Sequence, residues 1–195
     1  MNKRKIRDSI RLLSSIFFCW LYLPHMFYYF ACGGGRIIKT DLRRFAAQIN
    51  IKLPNWLLLL YLLHNNSFYR SLFYYRIGPI WDLLISWYRP GDKYFIIPKE
   101  TKIGEGFLFA HPYSTVLNAE SIGNNFYCIH CTTLGKTEKG KPIIGDNVTL
   151  GANVTIIGPV NIGNNVIIGA GSIVVKDVPD NCVIAGNPAR IIRRL

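Results

Sequence analysis

Residues 144–179 read IGDNVT LGANVT IIGPVN IGNNVI IGAGSI VVKDVP, six hexapeptides that each begin with an aliphatic residue. A period of six matches neither the 3.6-residue turn of a helix nor the two-residue alternation of a strand. It is typical of a solenoid, in which one aliphatic side chain per hexapeptide points inward and short strands stack coil upon coil. Glycine, asparagine and aspartate beside these positions suit tight corners with positive φ. The stretch therefore predicts a mainly β fold, a parallel β-helix.

The same period extends upstream and is interrupted twice. Further apolar residues continue it at Val116, Ile122, Cys128 and Leu134, and earlier, one residue out of phase, at Ile97, Ile103 and Phe109. One extra residue lies between Phe109 and Val116, and four lie between Leu134 and Ile144, in the stretch 135–142. Interruptions of a solenoid form loops, which carry function more often than regular coils do.

The composition divides the chain near residue 95. Residues 1–95 hold 14 Lys and Arg against 4 Asp and Glu, and 21 of the 26 aromatic residues. Residues 96–195 hold 9 against 7, and 12 of the 17 glycines. Because half of the chain is hydrophobic and only 17% is charged, a disordered protein is excluded. We expect two domains: a helical, basic and aromatic region over residues 1–95, and the hexapeptide-repeat domain over residues 96–195.

The N-terminal region contains a segment long enough to cross a bilayer. Leu12–Cys32 has no formally charged residue, but basic residues flank it on both sides and give a crossing no clear orientation. Pro24 allows a bent segment, or one that lies in the membrane interface. Further on, the stretches 55–63 and 81–87 predict short buried helices.

The cationic and aromatic stretch 68–76 has more than one interpretation. It fits a helical subdomain whose aromatic side chains pack against a partner subunit while its arginines are solvated. It also fits peripheral attachment to an anionic membrane surface. Nucleic-acid binding is disfavoured, because no helix-turn-helix, zinc-finger or ribonucleoprotein motif is present.

Several motifs of the second half resemble those of the hexapeptide-repeat acyltransferases. The match is to the serine acetyltransferase-like O-acetyltransferases, a group that includes enzymes acetylating sugars of capsules and exopolysaccharides. Besides the repeat, the matching segments are IGEGFLFAH (103–111), TTLGK (132–136), KDVP (176–179) and AGNPAR (185–190). The resemblance implies a left-handed coil, a homotrimer with sites between neighbouring subunits, and acetyl-CoA as the acetyl donor.

The resemblance also implies roles for individual residues. His111 matches the general base of the family, and histidine suits proton abstraction near neutral pH. The positions that match the coenzyme A site are Gly135, Ala152, Ala170, Val175, Lys176, Arg190 and Arg193. Small residues would admit the pantetheine arm, and the cations would face phosphates. The alternatives stay open that Ala152 and Ala170 only pack at corners, and that Arg190 and Arg193 are only solvated charges. His130 matches no base of the family.

The cysteines do not predict a metal site. Cys128 and Cys131 have ligand-like spacing, but no second pair follows, and Cys128 falls on a position of the aliphatic period. We therefore expect a buried core thiol at Cys128 and no metal. Five cysteines without a pairing pattern fit a reducing compartment. We expect a cytoplasmic protein, associated with the inner face of the membrane.

Three departures from the serine acetyltransferases bear on the acceptor. The aspartate before the base is Ala110 here, the aspartate that orients the base is Ile96, and Arg-His-Pro becomes residues 140–142, Gly-Lys-Pro. These losses weaken the case for serine, and we expect a sugar hydroxyl in surface polysaccharide synthesis as the acceptor. Serine O-acetylation is the alternative enzyme function. A trimeric β-helix scaffold at the membrane, without catalysis, is the alternative of another class.

Overall fold

A computed structural model of the chain describes residues 3–32 and 35–195. Two compact units are present, Met1–Asp92 and Lys93–Leu195. The predicted domain boundary after residue 95 lies three residues beyond this division. The first unit is helical, and the second contains the β-solenoid.

The helices of the first unit are short and follow one another closely. In chain order they are α1 (Lys3–Phe17), a 3₁₀ helix (Cys19–Tyr22), α2 (Leu23–Ala31), α3 (Gly35–Ile49), α4 (Asn55–Asn65), α5 (Ser67–Ile77) and α6 (Pro79–Ile85). Pro24 occupies the first turn of α2, where its missing N–H costs no hydrogen bond. Among the described residues no single helix is long and apolar enough to cross a bilayer. Ile6–Phe17 and Cys19–Ala31, which meet at 70°, satisfy length and composition only as a bent pair.

The core of the helical unit confirms one predicted helix and corrects another. Leu58 to Leu63 of α4 are all buried, as the apolar run at 55–63 predicts. The buried helix predicted over residues 81–87 is wrong, since Leu83 and Trp87 are each 78% exposed. Helix α6 ends at Ile85 and has only seven residues, so it buries little besides Ile85 itself.

The prediction of solvated arginines in the stretch 68–76 is wrong for Arg76. Its Nε lies 2.9 Å from Oδ2 of Asp41 on α3, and both side chains are almost fully buried. Each charge in this position depends on its partner, because an unpaired buried charge is strongly destabilising.

A second polar cluster surrounds the fully buried His25. The hydroxyl of Tyr74 donates to the carbonyl of Arg89 at 2.5 Å and lies 2.9 Å from Nε2 of His25. Since the tyrosine proton is already donated, Nε2–H of His25 acts as the donor to the tyrosine oxygen. Burial, with the nearby charges of Arg70 and Arg89, lowers the pKa of His25 to about 4, so the imidazole is neutral.

The second unit consists of short strands. In chain order they are β1 (Phe95–Ile96), β2 (Lys102–Ile103), β3 (Leu108–Ala110), β4 (Thr115–Leu117), β5 (Ser121–Ile122), β6 (Tyr127–Ile129), β7 (Thr133–Gly135), β8 (Ile143–Ile144), β9 (Thr149–Leu150), β10 (Thr155–Ile157), β11 (Asn161–Ile162), β12 (Val166–Ile168), β13 (Ile173–Val174), β14 (Cys182–Gly186) and β15 (Ala189–Arg194).

The strands form the three faces of a solenoid of about five turns. Sheet 1 has the order β1-β4-β7-β10-β13, sheet 2 the order β11-β8-β5-β2, and sheet 3 the order β15-β14-β12-β9-β6-β3. Neighbouring strands are parallel except β14 and β15, which form an antiparallel hairpin. The parallel β-helix predicted from the hexapeptides is confirmed, and it is consistent with the left-handed coil that the resemblance implies.

The interior of the solenoid follows the predicted aliphatic period. The six residues that open the hexapeptides are at most 3% exposed: Ile144, Leu150, Ile156, Ile162, Ile168 and Val174. Upstream the period shifts. Leu117 is fully buried and lies opposite Leu134, whereas the predicted inward residue Val116 is half-buried. Ile97 is likewise half-buried, while Phe95 fills the core of the first coil.

Asparagine side chains stack along the corner between sheets 2 and 3. The side-chain amide of Asn125 donates to Oδ1 of Asn147 at 3.0 Å, and Asn147 donates in the same way to Asn165. Each of these residues has a φ near +56°, a conformation that asparagine tolerates better than most residues do. The predicted positive φ is thus confirmed at the asparagines of this corner.

The glycines of the same corner have a different role, because Gly123, Gly145 and Gly163 are not among the residues with positive φ. A Cβ on Gly145 would lie 2.8 Å from the backbone carbon of Gly163 and 2.7 Å from Oδ1 of Asn164. These glycines therefore allow successive coils to approach closely.

This close approach predicts a contrast between two substitutions. Gly145→Ala forces a methyl group against backbone atoms of the next coil and should lower the free energy of unfolding by about 1–3 kcal/mol. Gly135→Ala is the matched control, because its nearest neighbour, Cγ1 of Ile157, is 3.4 Å away. Denaturant unfolding measures both changes; equal losses for the two variants would contradict this account of the corner.

Candidate active site

One corner of the solenoid, between sheets 3 and 1, carries four residues singled out in the sequence. Ala110 lies opposite Ile129, and Thr149 lies opposite both Tyr127 and Ile167. The residues that follow these strands are therefore His111, His130, Ala152 and Ala170, in the order of the coils, and the last three are stacked in one column. We call this corner, with His111 on its first coil, the His111 corner. Three coil steps separate its ends, about 14 Å at the usual spacing of paired strands.

The coil that carries His111 is longer at this corner than the coils above it. The N–H of Asn153 donates to the carbonyl of His130 at 3.0 Å, and the N–H of Cys131 donates to the carbonyl of Tyr113 at 2.8 Å. Tyr113 therefore continues the hydrogen-bonded column, and His111 and Pro112 are inserted before it. The sequence predicted one extra residue here. The structure has two, and one residue fewer between Leu117 and Ile122 restores the phase.

The insertion holds His111 at the surface. Its φ is +48°, and the N–H of Tyr113 donates to its carbonyl at 2.7 Å, closing a tight turn. The side chain is exposed, and within residues 3–32 and 35–195 the structure assigns no hydrogen bond to the imidazole. Ala110 and the exposed Ile96 stand where the resemblance would place carboxylates, and neither has a polar side chain.

A cavity at the last coil gathers three of the predicted donor-site residues. It has a volume of about 230 Å³ and is bounded by the segment 174–179 and by the hairpin of β14 and β15. Val175, Lys176 and Arg190 line it. Arg193 is not part of this lining; it lies opposite Val183 within the hairpin.

The remaining predicted residue, Gly135, lies at the opposite edge of sheet 1 from the His111 corner. Gly135 pairs with Ile157, and the register of β10 with β13 places Val175 next in that column. Between the two edges the outer face of sheet 1 carries Thr133, Thr155 and Ile173 in register. Sheet 1 therefore presents a strip bounded by His111, Ala152 and Ala170 on one side and by Gly135 and Val175 on the other.

The second interruption, residues 135–142, forms an ordered turn. Thr137 and Gly140 exchange backbone hydrogen bonds of 2.9 and 3.2 Å, and Gly140 has a φ of +143°. Lys136 and Lys139 are exposed on this turn. Because Gly158 donates to the carbonyl of Gly135 at 3.0 Å, the base of the turn is tied to the coil above.

Sequence reasoning missed Tyr113 and the apolar part of the cavity. Tyr113 is 56% exposed, two residues from His111, and Pro188 and Ile191 line the cavity beside Arg190. Pro188 lies within the motif AGNPAR, which was a usable signal. Cys128 is fully buried, as predicted, and burial raises the pKa of its thiol well above the ordinary range.

Chemically, the strip combines an exposed imidazole at one end with a cavity at the other, which is lined by two cations, by Asp177 and by apolar side chains. A neutral imidazole can remove a proton from a hydroxyl, and cations bind phosphate groups by charge-assisted hydrogen bonds. The intervening outer face of sheet 1 offers small and aliphatic side chains along which an extended chain could lie.

The backbone of the His111 corner predicts the effect of two substitutions at Cys131. This residue has a φ of +57°, as does Asn153 one coil above. Cys131→Asn should leave the free energy of unfolding equal or slightly higher, because asparagine tolerates this conformation. Cys131→Val should lower it by about 1–2 kcal/mol, because a β-branched side chain crowds the backbone there. Thermal denaturation of both variants compares their stabilities. A valine variant as stable as the asparagine variant would refute the assigned corner geometry.

Comparison with known proteins agrees with this architecture. The family model for the bacterial transferase hexapeptide (six repeats) matches residues 141–176. Serine acetyltransferase 2 of Arabidopsis thaliana is 45% identical over 97 residues, which cover 47% of this chain and 30% of that protein. The putative colanic acid biosynthesis acetyltransferase WcaB of Escherichia coli K12 is 42% identical over 93 residues, 46% of this chain and 57% of that protein. The chain thus spans less than two thirds of these relatives.

Among solved structures, the soybean serine acetyltransferase apoenzyme is similar over most of the chain. It is 30% identical with a TM-score of 0.64, and the match covers 80% of this chain and 67% of that one. The aligned region extends beyond the hexapeptide repeats into the helical half, since the second unit makes up only residues 93–195. The chain therefore belongs to the hexapeptide-repeat acyltransferases, in the group that resembles the serine acetyltransferases.

Proposed function

We propose that the chain is an O-acetyltransferase that moves an acetyl group from acetyl-CoA to an acceptor hydroxyl. The observation that carries the proposal is the two-residue insertion, which places the exposed His111 on the same corner as Ala152 and Ala170. The relatives named above are acetyltransferases, and this supports the acetyl group as the one transferred.

His111 acts as the general base. Its imidazole takes the proton of the acceptor hydroxyl while the hydroxyl oxygen attacks the thioester carbonyl carbon. The tetrahedral intermediate then collapses, the carbon–sulfur bond breaks, and the proton passes from the imidazolium to the departing coenzyme A sulfur. Direct transfer is preferred over an acyl-enzyme, because the sequence contains no G-x-S-x-G motif of the kind that presents a nucleophilic serine.

Coenzyme A lies along sheet 1 in this proposal. Its thioester end reaches His111, and its pantetheine arm passes Ala152 and Ala170, whose small side chains leave room beside the backbone. Lys176 and Arg190 at the cavity bind phosphate groups, with Val175 as an apolar contact. Gly135 leaves the other edge of the strip open, and Arg193 adds positive charge farther along β15.

A sugar hydroxyl in surface polysaccharide synthesis is the acceptor that we favour. The colanic acid relative supports it, and so does the absence of carboxylates at Ala110 and Ile96. Serine is the alternative acceptor, supported by the serine acetyltransferases among the relatives and solved structures.

We further propose a homotrimer that works in the cytoplasm. Isoleucines on all three outer faces of the solenoid support the assembly, because Ile143, Ile157 and Ile167 are between 38% and 43% exposed. Contacts between subunits would remove these side chains from water. Acetyl-CoA, the donor, is a cytoplasmic metabolite, and five free cysteines suit a reducing compartment.

Turnover with a panel of acceptors tests the reaction and its base together. Purified protein with acetyl-CoA should release coenzyme A thiol with sugar or oligosaccharide acceptors, and slowly with serine. His111→Ala should lower turnover by about a hundredfold or more, because a general base contributes at least that factor.

His130→Ala is the matched control, since it removes an exposed histidine from the same corner one coil away. It should retain most of the turnover. Faster acetylation of serine than of any sugar would reverse our order of acceptors. Coenzyme A binding without turnover on any acceptor would favour the alternative of a trimeric scaffold without catalysis.

Calorimetric titration with coenzyme A tests the donor site. Lys176→Gln and Arg190→Gln should each weaken binding about tenfold, the size expected for losing a hydrogen bond to a charged group. Arg193→Gln, outside the cavity lining, should weaken it less. If Arg193→Gln has the larger effect, the phosphates do not lie in the cavity.

A further inference from the structure

Helix α1 is amphipathic in the reverse sense to a helix on the surface of a water-soluble protein. Ile10 and Leu13 are 61% and 66% exposed, and Phe17 is 75% exposed. The opposite side of the helix carries the fully buried Ser15, which receives a hydrogen bond of 2.9 Å from the side-chain amide of Asn65. A surface helix ordinarily buries its apolar side, so this exposed stripe requires an apolar environment outside the unit.

The stripe continues past the bend into the next two helices. Trp20 of the 3₁₀ helix is 60% exposed, and Leu23, Phe27 and Phe30 of α2 are 63%, 60% and 68% exposed. Steps of three and four residues keep these side chains on one side of the chain. The inward side of α2 holds His25, Tyr28 and Tyr29, which are buried.

Helix α6 adds to this surface. The hydroxyl of Tyr88 donates to the carbonyl of Leu21 at 2.8 Å, and the ring of Trp81 lies 5.4 Å from that of Tyr28. These contacts, one from Trp81 of α6 and one from Tyr88 just after it, bring this part of the chain next to the 3₁₀ helix and α2. We define the apolar face as the exposed residues Ile10, Leu13, Phe17, Trp20, Leu23, Phe27, Phe30, Leu83, Leu84 and Trp87.

The charge next to the apolar face is positive. Arg7 and Arg11, one helical turn apart, are exposed along the flank of the stripe on α1, and the carboxylate of Asp8, 4.0 Å from Nε of Arg7, offsets part of this charge. Helix α3 exposes Arg36, Lys39 and Arg43 as well. Tryptophan and phenylalanine beside arginine form the combination that binds the headgroup region of anionic membranes, where aromatic rings enter the interface and guanidinium groups contact phosphates.

We propose that the apolar face is a membrane-docking surface that lies in the interface of an anionic lipid bilayer. A second copy of the unit fits less well, because apposing two such faces would bring their arginines together. The 70° angle between Ile6–Phe17 and Cys19–Ala31 suits helices lying along a surface. This inference concerns the helical unit alone and does not depend on the proposed acetyl transfer.

Vesicle flotation of the purified full-length protein tests the proposal. The protein should float with phosphatidylcholine vesicles that contain about one third phosphatidylglycerol, and at least tenfold less should float with pure phosphatidylcholine at high salt. Phe17→Glu/Trp20→Glu/Leu23→Glu should reduce flotation about tenfold or more. Ile192→Glu is the matched control; it removes a 64% exposed side chain of the solenoid unit and should leave flotation unchanged.

A conservative double variant tests the proposal even if the glutamate substitutions prevent folding. Lipids with brominated acyl chains should quench the tryptophan fluorescence of the wild type. Trp20→Phe/Trp87→Phe, which retains Trp56 and Trp81, should lose most of that quenching. Absence of flotation and of quenching for the wild type overturns the proposal. If light scattering also shows self-association that Trp20→Glu abolishes, the face is a contact between copies of the chain.

Discussion

Hydrogen bonding between successive coils is the constraint on which the solenoid unit depends. A strand of two or three residues cannot be stable alone. Here the strands inside each sheet are paired with strands of the coils on both sides, and those at the ends of a sheet are paired on one side. One full coil, with its three strands and three corners, therefore takes about eighteen residues, which is the separation between the paired residues Ile144 and Ile162. This register keeps the aliphatic side chains stacked inside, and it forces every insertion outward.

Both departures from that register lie on the surface that the proposed chemistry uses. Two inserted residues carry His111 out of the column, and the turn at residues 135–142 leaves sheet 1 at its other edge. The regular coils carry Ala152 and Ala170, whose side chains have no reactive groups and leave room along the strip. The regular spacing of the coils thus fixes the distance between the proposed base, on an early coil, and the cations of the last coil.

Much of this unit could be predicted from the sequence because the constraint repeats in every coil and leaves an aliphatic residue at every sixth position. The inward position of Leu117 could not be predicted. The number of residues in a coil does not reveal at which corner the extra residues lie. The cavity beside Lys176 also escaped prediction, because it exists only where the hairpin folds back on the last coil. In the helical unit, Arg76 and α6 were mispredicted for a related reason: their burial depends on Asp41 and on neighbouring helices, which are distant in sequence.

The antiparallel hairpin at the end of sheet 3 has a consequence for assembly. A parallel solenoid whose last coil is bare offers a template on which further chains can add edge to edge, the route to fibrils. Here β15 covers the edge of β14, and its own residues include Arg190, Arg193 and Arg194. Clustered guanidinium groups repel an identical strand, so the terminal hairpin protects this end of sheet 3 against polymerisation.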